Sequence, residues 1–359
     1  MILNFNLLIF ISLLMMSILM GMNSNSLMFF WISIEINMMS FIPMLLFLNK
    51  NFNDTSIKYF LIQSLSSSLM LFFMLNLNNK FINFLMFLMI LSLFMKVGFF
   101  PFNFWYLNML NNISWINCLL LMSVQKLLPL SMMSYLFKLI NLNNYYMKNN
   151  NFILMKFLMY LLIIMNSIMS INMIYSLNSI KLIMGMSSIN HMSWLMLLLL
   201  INKKIFYLYF MIYTLILINL IVLLNFNKIK YLNNLIMLNN MKYTLKFILL
   251  FLMMMMMSLP PLMSFFLKSF SVYYFINYNL MFISYFLLLL SMMMFFYYLK
   301  LFYSSLIFFN NNMMINMKNN KLSYPMKMKM LFINTTLIMI FYWSYILYLS
   351  VIALKFLKF

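Results

Sequence analysis

Five charged residues lie within long apolar segments of this chain, one glutamate and four lysines. In chain order they are Glu35, Lys96, Lys126, Lys181 and Lys268. A charge at the centre of a membrane helix costs roughly 2.5–3.5 kcal/mol on insertion scales, so such residues usually face a bundle interior or a hydrated cavity and mark an ion path. A row of them without a metal, haem or nucleotide signature indicates that charge moves here, most simply as protons.

The glutamate and the first two lysines are the most specific part of this row. Glu35 is the only acidic residue in an apolar segment, because the other, Asp54, lies in a polar break. Burial favours the neutral forms of carboxylic acids and amines, whereas an opposite charge favours the charged forms. Moving Glu35 towards or away from Lys96 or Lys126 would therefore load or release one proton. The alternative is a static ion pair.

The depth of the second lysine argues against a side chain that reaches the membrane surface. We expect Lys126 to have about 13 residues of its segment on either side, or roughly 20 Å of helix. Lys96 is followed closely by a helix-breaking sequence, so water or a terminal carbonyl is its alternative partner.

The second half of the chain offers three further candidates. Lys181, Ser188 and His191 share an arc of about 80° if their segment is helical, which suits a hydrogen-bonded water chain. Histidine titrates near neutral pH and is a reasonable proton relay, although a lone histidine can also be a packing residue. Lys268 follows a proline pair, where half-helix ends and water can stabilise its charge.

The composition requires a membrane protein. Of 359 residues, 67% are hydrophobic and 7% charged, against about 25% charged in soluble proteins. The net charge of +21 comes from 23 lysines against two acidic residues. Most of these lysines flank apolar runs, where they reach lipid headgroups, so we expect no nucleic-acid partner.

Apolar runs separated by short Asn- and Lys-rich breaks predict a single all-α polytopic domain over residues 1–359. Each run is long enough to cross a hydrocarbon core of about 30 Å. The predicted spans, about eleven, are near residues 2–20, 27–48, 56–77, 81–107, 113–139, 152–174, 175–200, 205–225, 243–277, 279–309 and 330–356.

Two of these spans contain helix breakers, at Gly98 with Pro101 and at Pro260 with Pro261. Proline removes a backbone donor and clashes with the preceding turn, so both helices are expected to be discontinuous. Interrupted spans at matching positions of two halves indicate inverted repeats around an ion site. The sequence predicts two five-helix repeats, over about 1–140 and 151–309, plus a final helix at about 330–356.

Several kinds of site are absent from the sequence. One histidine cannot ligate a haem pair, one cysteine cannot hold an iron–sulfur cluster, and no Gly-rich phosphate loop is present. We therefore expect no metal, cofactor or NADH site in this chain. A methionine excess, an A/T-rich codon bias and the lack of a removable or Arg-rich leader predict a protein made inside mitochondria.

Six short motifs occur in a specific order along the first 270 residues. They are Trp31, Glu35 and Asn37 with Phe41-Ile42-Pro43; Lys58-Tyr59-Phe60-Leu61 with Gln63; Lys96, Gly98, Pro101, Phe102, Phe104 and Trp105; Gln125, Lys126 and Pro129; Ser187, Ser188, Ile189, His191, Met192 and Trp194 with Lys181 upstream; and Leu259, Pro260, Pro261 and Leu262 with Lys268. In these motifs the chain resembles the chain 2 family of mitochondrial NADH:ubiquinone oxidoreductase, antiporter-like core subunits of respiratory complex I.

The resemblance implies proton translocation across the inner mitochondrial membrane, driven by quinone reduction elsewhere in the complex. By analogy, Glu35 with Lys96 would gate the first half-channel, Lys126 would be the central site and Lys268 would serve the exit. Asn103 replaces the usual histidine after Pro-Phe, and Asn108 stands where an acidic residue is common, so no proton role is assigned to either.

The resemblance also implies partners. These would be the small core subunits, subunit 4 and accessory subunits of complex I, with phospholipids such as cardiolipin. Two other functions remain open at this point: a stand-alone cation/proton antiporter, and a purely structural bridging subunit with static ion pairs.

Overall fold

The computed structural model describes residues 5–48, 54–77, 82–146, 151–232, 243–260 and 262–310 of the chain. Within these ranges the chain is helical, with an isolated β-bridge between Ser179 and Tyr231 as its only extended pairing. The predicted all-α fold is confirmed. The predicted final helix at 330–356 and Pro261 lie outside the described residues.

Thirteen α-helices are found in the described ranges. In chain order they are α1 (Phe5–Asn23), α2 (Leu27–Leu48), α3 (Asp54–Leu75), α4 (Ile82–Val97), α5 (Asn103–Asn112), α6 (Trp115–Met122), α7 (Val124–Tyr146), α8 (Asn151–Ile174), α9 (Ile180–Ile201), α10 (Lys203–Phe226), α11 (Tyr243–Met257), α12 (Met263–Asn277) and α13 (Met281–Asn310).

Seven of the described segments are long and apolar enough to cross a membrane, one of them formed by α6 and α7 together. The pairs α4–α5 and α11–α12 each divide one predicted span into two shorter helices. Helix α9 is the centre of the bundle, because 94% of its apolar window is buried inside the protein. Helices α1 and α13 lie at the periphery and expose large apolar side chains, as a lipid-facing surface requires.

The first predicted break is confirmed between α4 and α5. Gly98 has φ 74°, and the Phe100–Pro101 peptide is cis. The amide of Phe102 donates to the carbonyl of Phe99 at 2.7 Å, closing a turn before α5 begins. A Cβ at Gly98 would come within 2.7 Å of the Cβ of Tyr106, so this position requires glycine both for its backbone and for its packing.

The second predicted break is confirmed between α11 and α12, with the same backbone pattern. Ser258 has φ 56°, and the amide of Leu262 donates to the carbonyl of Leu259 at 2.7 Å. A left-handed residue followed by a closed four-residue turn therefore occurs in both halves, at 98–102 and at 258–262. The serine adopts this conformation at some cost, which its hydroxyl offsets by accepting a hydrogen bond across the break.

A third break, which the sequence analysis missed, separates α6 from α7 at Ser123. Its φ and ψ are −116° and −76°, and its hydroxyl donates to the carbonyl of Leu119 at 2.7 Å. Serine can bond to its own helix backbone in this way and bend the helix. Lys126 is consequently the third residue of α7 and follows a break, although it still lies well inside the 115–140 span.

The predicted position of Lys181 at the middle of a span is wrong. The chain turns at 175–179, and Lys181 is the second residue of α9. Ile180 and Leu232 exchange backbone hydrogen bonds with Lys230 and Asn178 in this turn. Lys181 is therefore near the start of α9 and not in the interior of a helix.

Candidate functional site

Glu35 on α2 and Lys96 near the end of α4 form a pair inside the bundle. The Nζ of Lys96 lies 3.9 Å from the Oε1 of Glu35, and their side chains are 1% and 21% exposed. Neither atom has a hydrogen-bond partner in the described part of the protein. The separation is too long for a direct hydrogen bond and is a distance that a single water could bridge.

Lys96 lies where it does because its helix ends there. The side-chain amide of Gln63 on α3 donates to the Lys96 carbonyl at 3.1 Å, and the indole of Trp105 donates to the Met95 carbonyl at 3.0 Å. Carbonyls at the end of a helix lack intrahelical partners, and a membrane interior supplies no water to replace them. The two contacts therefore stabilise the end of α4 and the position of its lysine.

A small cavity with room for about one water molecule lies between Lys96 and Lys126. Its polar lining consists of Asn37, Tyr59, Gln63, Lys96, Tyr106, Gln125 and Lys126. A cavity of this size with polar groups on its wall can hold an ordered water, and such a water would lie between the two lysines.

Three neutral residues on the cavity wall form a continuous hydrogen-bonded chain. The Tyr59 hydroxyl donates to Oε1 of Gln125 at 3.1 Å, and Nε2 of Gln125 donates to Oδ1 of Asn37 at 3.0 Å. Helices α2, α3 and α7 are thereby held around the cavity. In the sequence these residues were recognised only as parts of motifs, and no contact was predicted for them.

Lys126 is buried at the far end of the cavity, with 2% of its surface exposed. Its Nζ donates to the Ser188 hydroxyl at 3.1 Å and lies 4.5 Å from the centroid of the Tyr106 ring. The hydroxyls of Tyr106 and Ser188 are 2.7 Å apart. A hydroxyl and an aromatic face replace part of the hydration that an ammonium loses on burial. No carboxylate among the described residues pairs with it.

Ser188 is the point at which the two halves of the protein meet at this site. It belongs to α9, whereas Lys126 and Tyr106 belong to α7 and α5. One helical turn further along α9, Nδ1 of His191 is 2.9 Å from the Tyr209 hydroxyl, and its ring centroid is 4.6 Å from that of Tyr213. His191 is buried.

Lys268 on α12 contacts the second break. Its Nζ donates to the Ser258 hydroxyl at 2.6 Å, and the hydroxyl of Ser264 donates to the carbonyl of Met255. The expectation that polar groups of the interrupted helix stabilise this charge agrees with these contacts. Lys268 is 8% exposed and has no carboxylate partner in the described residues.

Lys181 does not join the other charges. Its Nζ donates to the carbonyl of Ile113, which caps the end of α5, and lies 5.4 Å from the Trp115 ring. A cation at the C-terminus of a helix is favourable. Lys181, Ser188 and His191 thus contact three different groups. The predicted polar stripe on α9 is therefore not a single hydrogen-bonded chain of these three side chains.

The described residues contain no group of three or more histidine, cysteine or acidic side chains that could hold a metal ion. Cys118 is a buried free thiol. The site contains a row of amines and hydroxyls, one carboxylate and one imidazole. All of these groups can exchange protons.

Comparison with known families gives one match over most of the chain. Residues 24–293 match the model of the NADH:quinone oxidoreductase/Mrp antiporter transmembrane family. The chain is 35% identical to NADH-ubiquinone oxidoreductase chain 2 of Anopheles gambiae over 217 residues, which are 58% of this chain and 59% of that one. It is 33% identical to chain 2 of Lumbricus terrestris, over 57% of this chain and 58% of that one. The alignments therefore span less than two thirds of these relatives.

Solved structures share the fold at low sequence identity. A chain of respiratory complex I from Thermus thermophilus aligns with a TM-score of 0.73 at 16% identity, over 84% of this chain and 71% of that one. A chain of an archaeal membrane-bound sulfane sulfur reductase gives 0.75 at 14% identity, over 92% and 71%. A chain of the Mrp complex from a Dietzia species gives 0.69 at 10% identity, over 81% and 59%.

Proposed function

Because the chain belongs to the NADH:quinone oxidoreductase/Mrp antiporter transmembrane family, we propose that it translocates protons as the chain 2 subunit of respiratory complex I. The chain itself would transfer no electrons. Oxidation of NADH and reduction of ubiquinone would occur in other subunits, and this subunit would use their free energy. Its similarity to insect and annelid chain 2 proteins supports this assignment.

The observation that carries the proposal is the environment of Lys126. A buried amine with hydroxyl and aromatic neighbours but no carboxylate partner gains little from remaining charged, since desolvation is not offset by an opposite charge. It can therefore lose and regain a proton when its surroundings change. Its position at the end of a polar cavity gives that proton a route from Glu35 and Lys96.

The proposed route has three parts. Glu35 and Lys96 would accept a proton and control entry, because their loose 3.9 Å pairing can tighten or separate. Lys126 would hold the proton at the centre, and Ser188 with His191 would lead to Lys268 beside the second break. Lys181 would act at a membrane surface, where it also stabilises the end of α5.

The proposal includes a location, partners and an internal organisation. The protein would be encoded in the organelle and reside in the inner mitochondrial membrane, beside the small core subunits, subunit 4 and accessory subunits, with cardiolipin or similar phospholipids around it. Residues of about 1–140 and 151–309 would be inverted repeats. A left-handed residue at Gly98 and at Ser258, each followed by a backbone hydrogen bond that closes a turn, supports that organisation.

The substitution Lys126→Met tests the function, with Lys138→Met as its matched control. Both lysines are on α7, but Lys138 is exposed. We expect Lys126→Met to lower the number of protons pumped per electron in the assembled complex, and to slow coupled turnover by roughly 10²-fold or more, as loss of a proton-transfer group does. Lys138→Met should leave both unchanged. If the Lys126→Met complex assembles and pumps normally, the lysine has only a structural role and the proposal is wrong.

A further inference from the structure

Asn166, on α8, connects the first helix break to α9 at the depth of the lysine row. Its Oδ1 accepts from the backbone amide of Phe100 at 3.0 Å and from Nδ2 of Asn103 at 3.4 Å. Its Nδ2 donates to the carbonyl of Ile189 on α9 at 2.9 Å. The side chain is fully buried, and none of the motifs in the sequence included it.

The contacts with Phe100 and Asn103 satisfy buried donors at the break, and the contact with Ile189 anchors Asn166 to α9. The Phe100 amide lies in the linker between α4 and α5, where the regular helical ladder is interrupted. Within a membrane, such an amide must be paired by the protein itself. The amide orientation of Asn166 is fixed as well, since its oxygen faces two donors and its nitrogen faces a carbonyl.

Asn166 joins the α4–α5 linker to α9, and these two elements position Tyr106 and Ser188, which contact each other beside Lys126. The linker leads into α5, which carries Tyr106, and Ile189 follows Ser188 directly on α9. The hydroxyls of Tyr106 and Ser188 are 2.7 Å apart, and Lys126 bonds to that same serine at 3.1 Å. A displacement of the linker relative to α9 would therefore change the contacts of Lys126.

We infer that Asn166 is a positioning residue for proton transfer, which holds the α4–α5 break against α9 so that Tyr106, Ser188 and Lys126 stay in contact. The inference rests on the proposed function, and it adds a neutral residue on a helix that contributes no charge to the row. Transfer between proton donors and acceptors is sensitive to displacements of about 1 Å, which can cost roughly 10²-fold in rate.

The test uses Asn166→Leu, which keeps the approximate size and removes all three hydrogen bonds, and Asn166→Asp, which retains the acceptor and removes the amide donor to Ile189. The control is Ser170→Ala, one turn along α8. Ser170 is also fully buried, but its hydroxyl bonds only to the carbonyl of Ser167 in its own helix. Protons pumped per electron, coupled NADH oxidation and oxidation by a water-soluble electron acceptor are measured in the assembled complex.

We expect Asn166→Leu to lower coupled turnover roughly tenfold or more and to reduce protons per electron, with oxidation by the soluble acceptor unchanged. Asn166→Asp should give an intermediate loss and Ser170→Ala none. Normal pumping in either assembled Asn166 variant would overturn the inference. So would failure of both variants to assemble while Ser170→Ala assembles, because Asn166 would then serve only the fold. If Lys126→Met also pumps normally, the proposed function fails; if Lys126→Met loses pumping and the Asn166 variants do not, only the positioning role fails.

Discussion

At the scale of single residues, the charges in this protein differ in how they are compensated. Glu35 and Lys96 compensate each other at 3.9 Å, whereas Lys126 and Lys268 each rely on a serine hydroxyl. The carboxylate of Glu35 stabilises the charged form of Lys96, whereas a serine hydroxyl stabilises a charged lysine less. The pair therefore suits control of entry, and the two isolated lysines suit transient occupation by a proton.

The pairing of Glu35 with Lys96 can be tested by a double-mutant cycle with Glu35→Gln and Lys96→Met. Removing one partner of a buried pair leaves an uncompensated charge and costs about 3 kcal/mol, less what the 21% exposure of the glutamate recovers. We expect each single variant to lower the melting temperature of the purified complex more than the double variant does. Additive losses would mean that the two residues do not interact in the folded protein.

The charged members of the site could be predicted from the sequence, whereas their neutral partners could not. A lysine in an apolar run is conspicuous because it is costly there. Serine, asparagine and tyrosine are common throughout this chain, so nothing in the sequence distinguished Ser188, Tyr106 or Asn166 from the others as contacts. The choice between Lys96 and Lys126 as partner of Glu35 also required the distance between Glu35 and Lys96 that the folded bundle sets.

At the scale of elements, the breaks in the helices determine where the charges lie. Lys96 precedes the break after α4, Lys126 follows the break after α6, and Lys268 bonds across the break after α11. Glycine and proline in the sequence predicted the breaks after α4 and after α11. Ser123 gave no such signal, because serines also occur within the continuous helices, where their hydroxyls bond to the helix backbone in a similar way.

The substitution Gly98→Ala tests the first break, with Gly185→Ala as the comparison. A non-glycine residue in a left-handed conformation costs roughly 1–2 kcal/mol, and the new Cβ would lie 2.7 Å from the Cβ of Tyr106. Gly185 is within α9, where its Cβ would crowd the terminal Cδ1 of the flexible Leu110 side chain, while Leu107 would lie at ordinary contact distance. We expect the larger loss of thermal stability for Gly98→Ala. Equal losses would show that the backbone at 98 is not constrained as described.

At the scale of the whole molecule, the bundle has an apolar exterior and a polar row through its interior. Large exposed side chains of α1 and α13 face outward, while α9 is enclosed and carries both Ser188 and His191. The all-α membrane fold and the two proline-containing breaks followed from hydropathy and residue type. The position of α9 at the centre did not, because hydropathy alone does not distinguish a helix surrounded by protein from one that faces lipid.

In the proposed route, protons pass between the first and second halves of the chain where Lys126 contacts Ser188. The most direct measurement is the number of protons pumped per electron in the assembled complex carrying Ser188→Ala. Its control is Ser193→Ala, since Ser193 is also fully buried on α9 but bonds only to the carbonyl of Asn190 in its own helix. We predict a lower ratio for Ser188→Ala and an unchanged ratio for Ser193→Ala. An unchanged ratio for both variants would show that the contact of Lys126 with Ser188 is not part of the proton route.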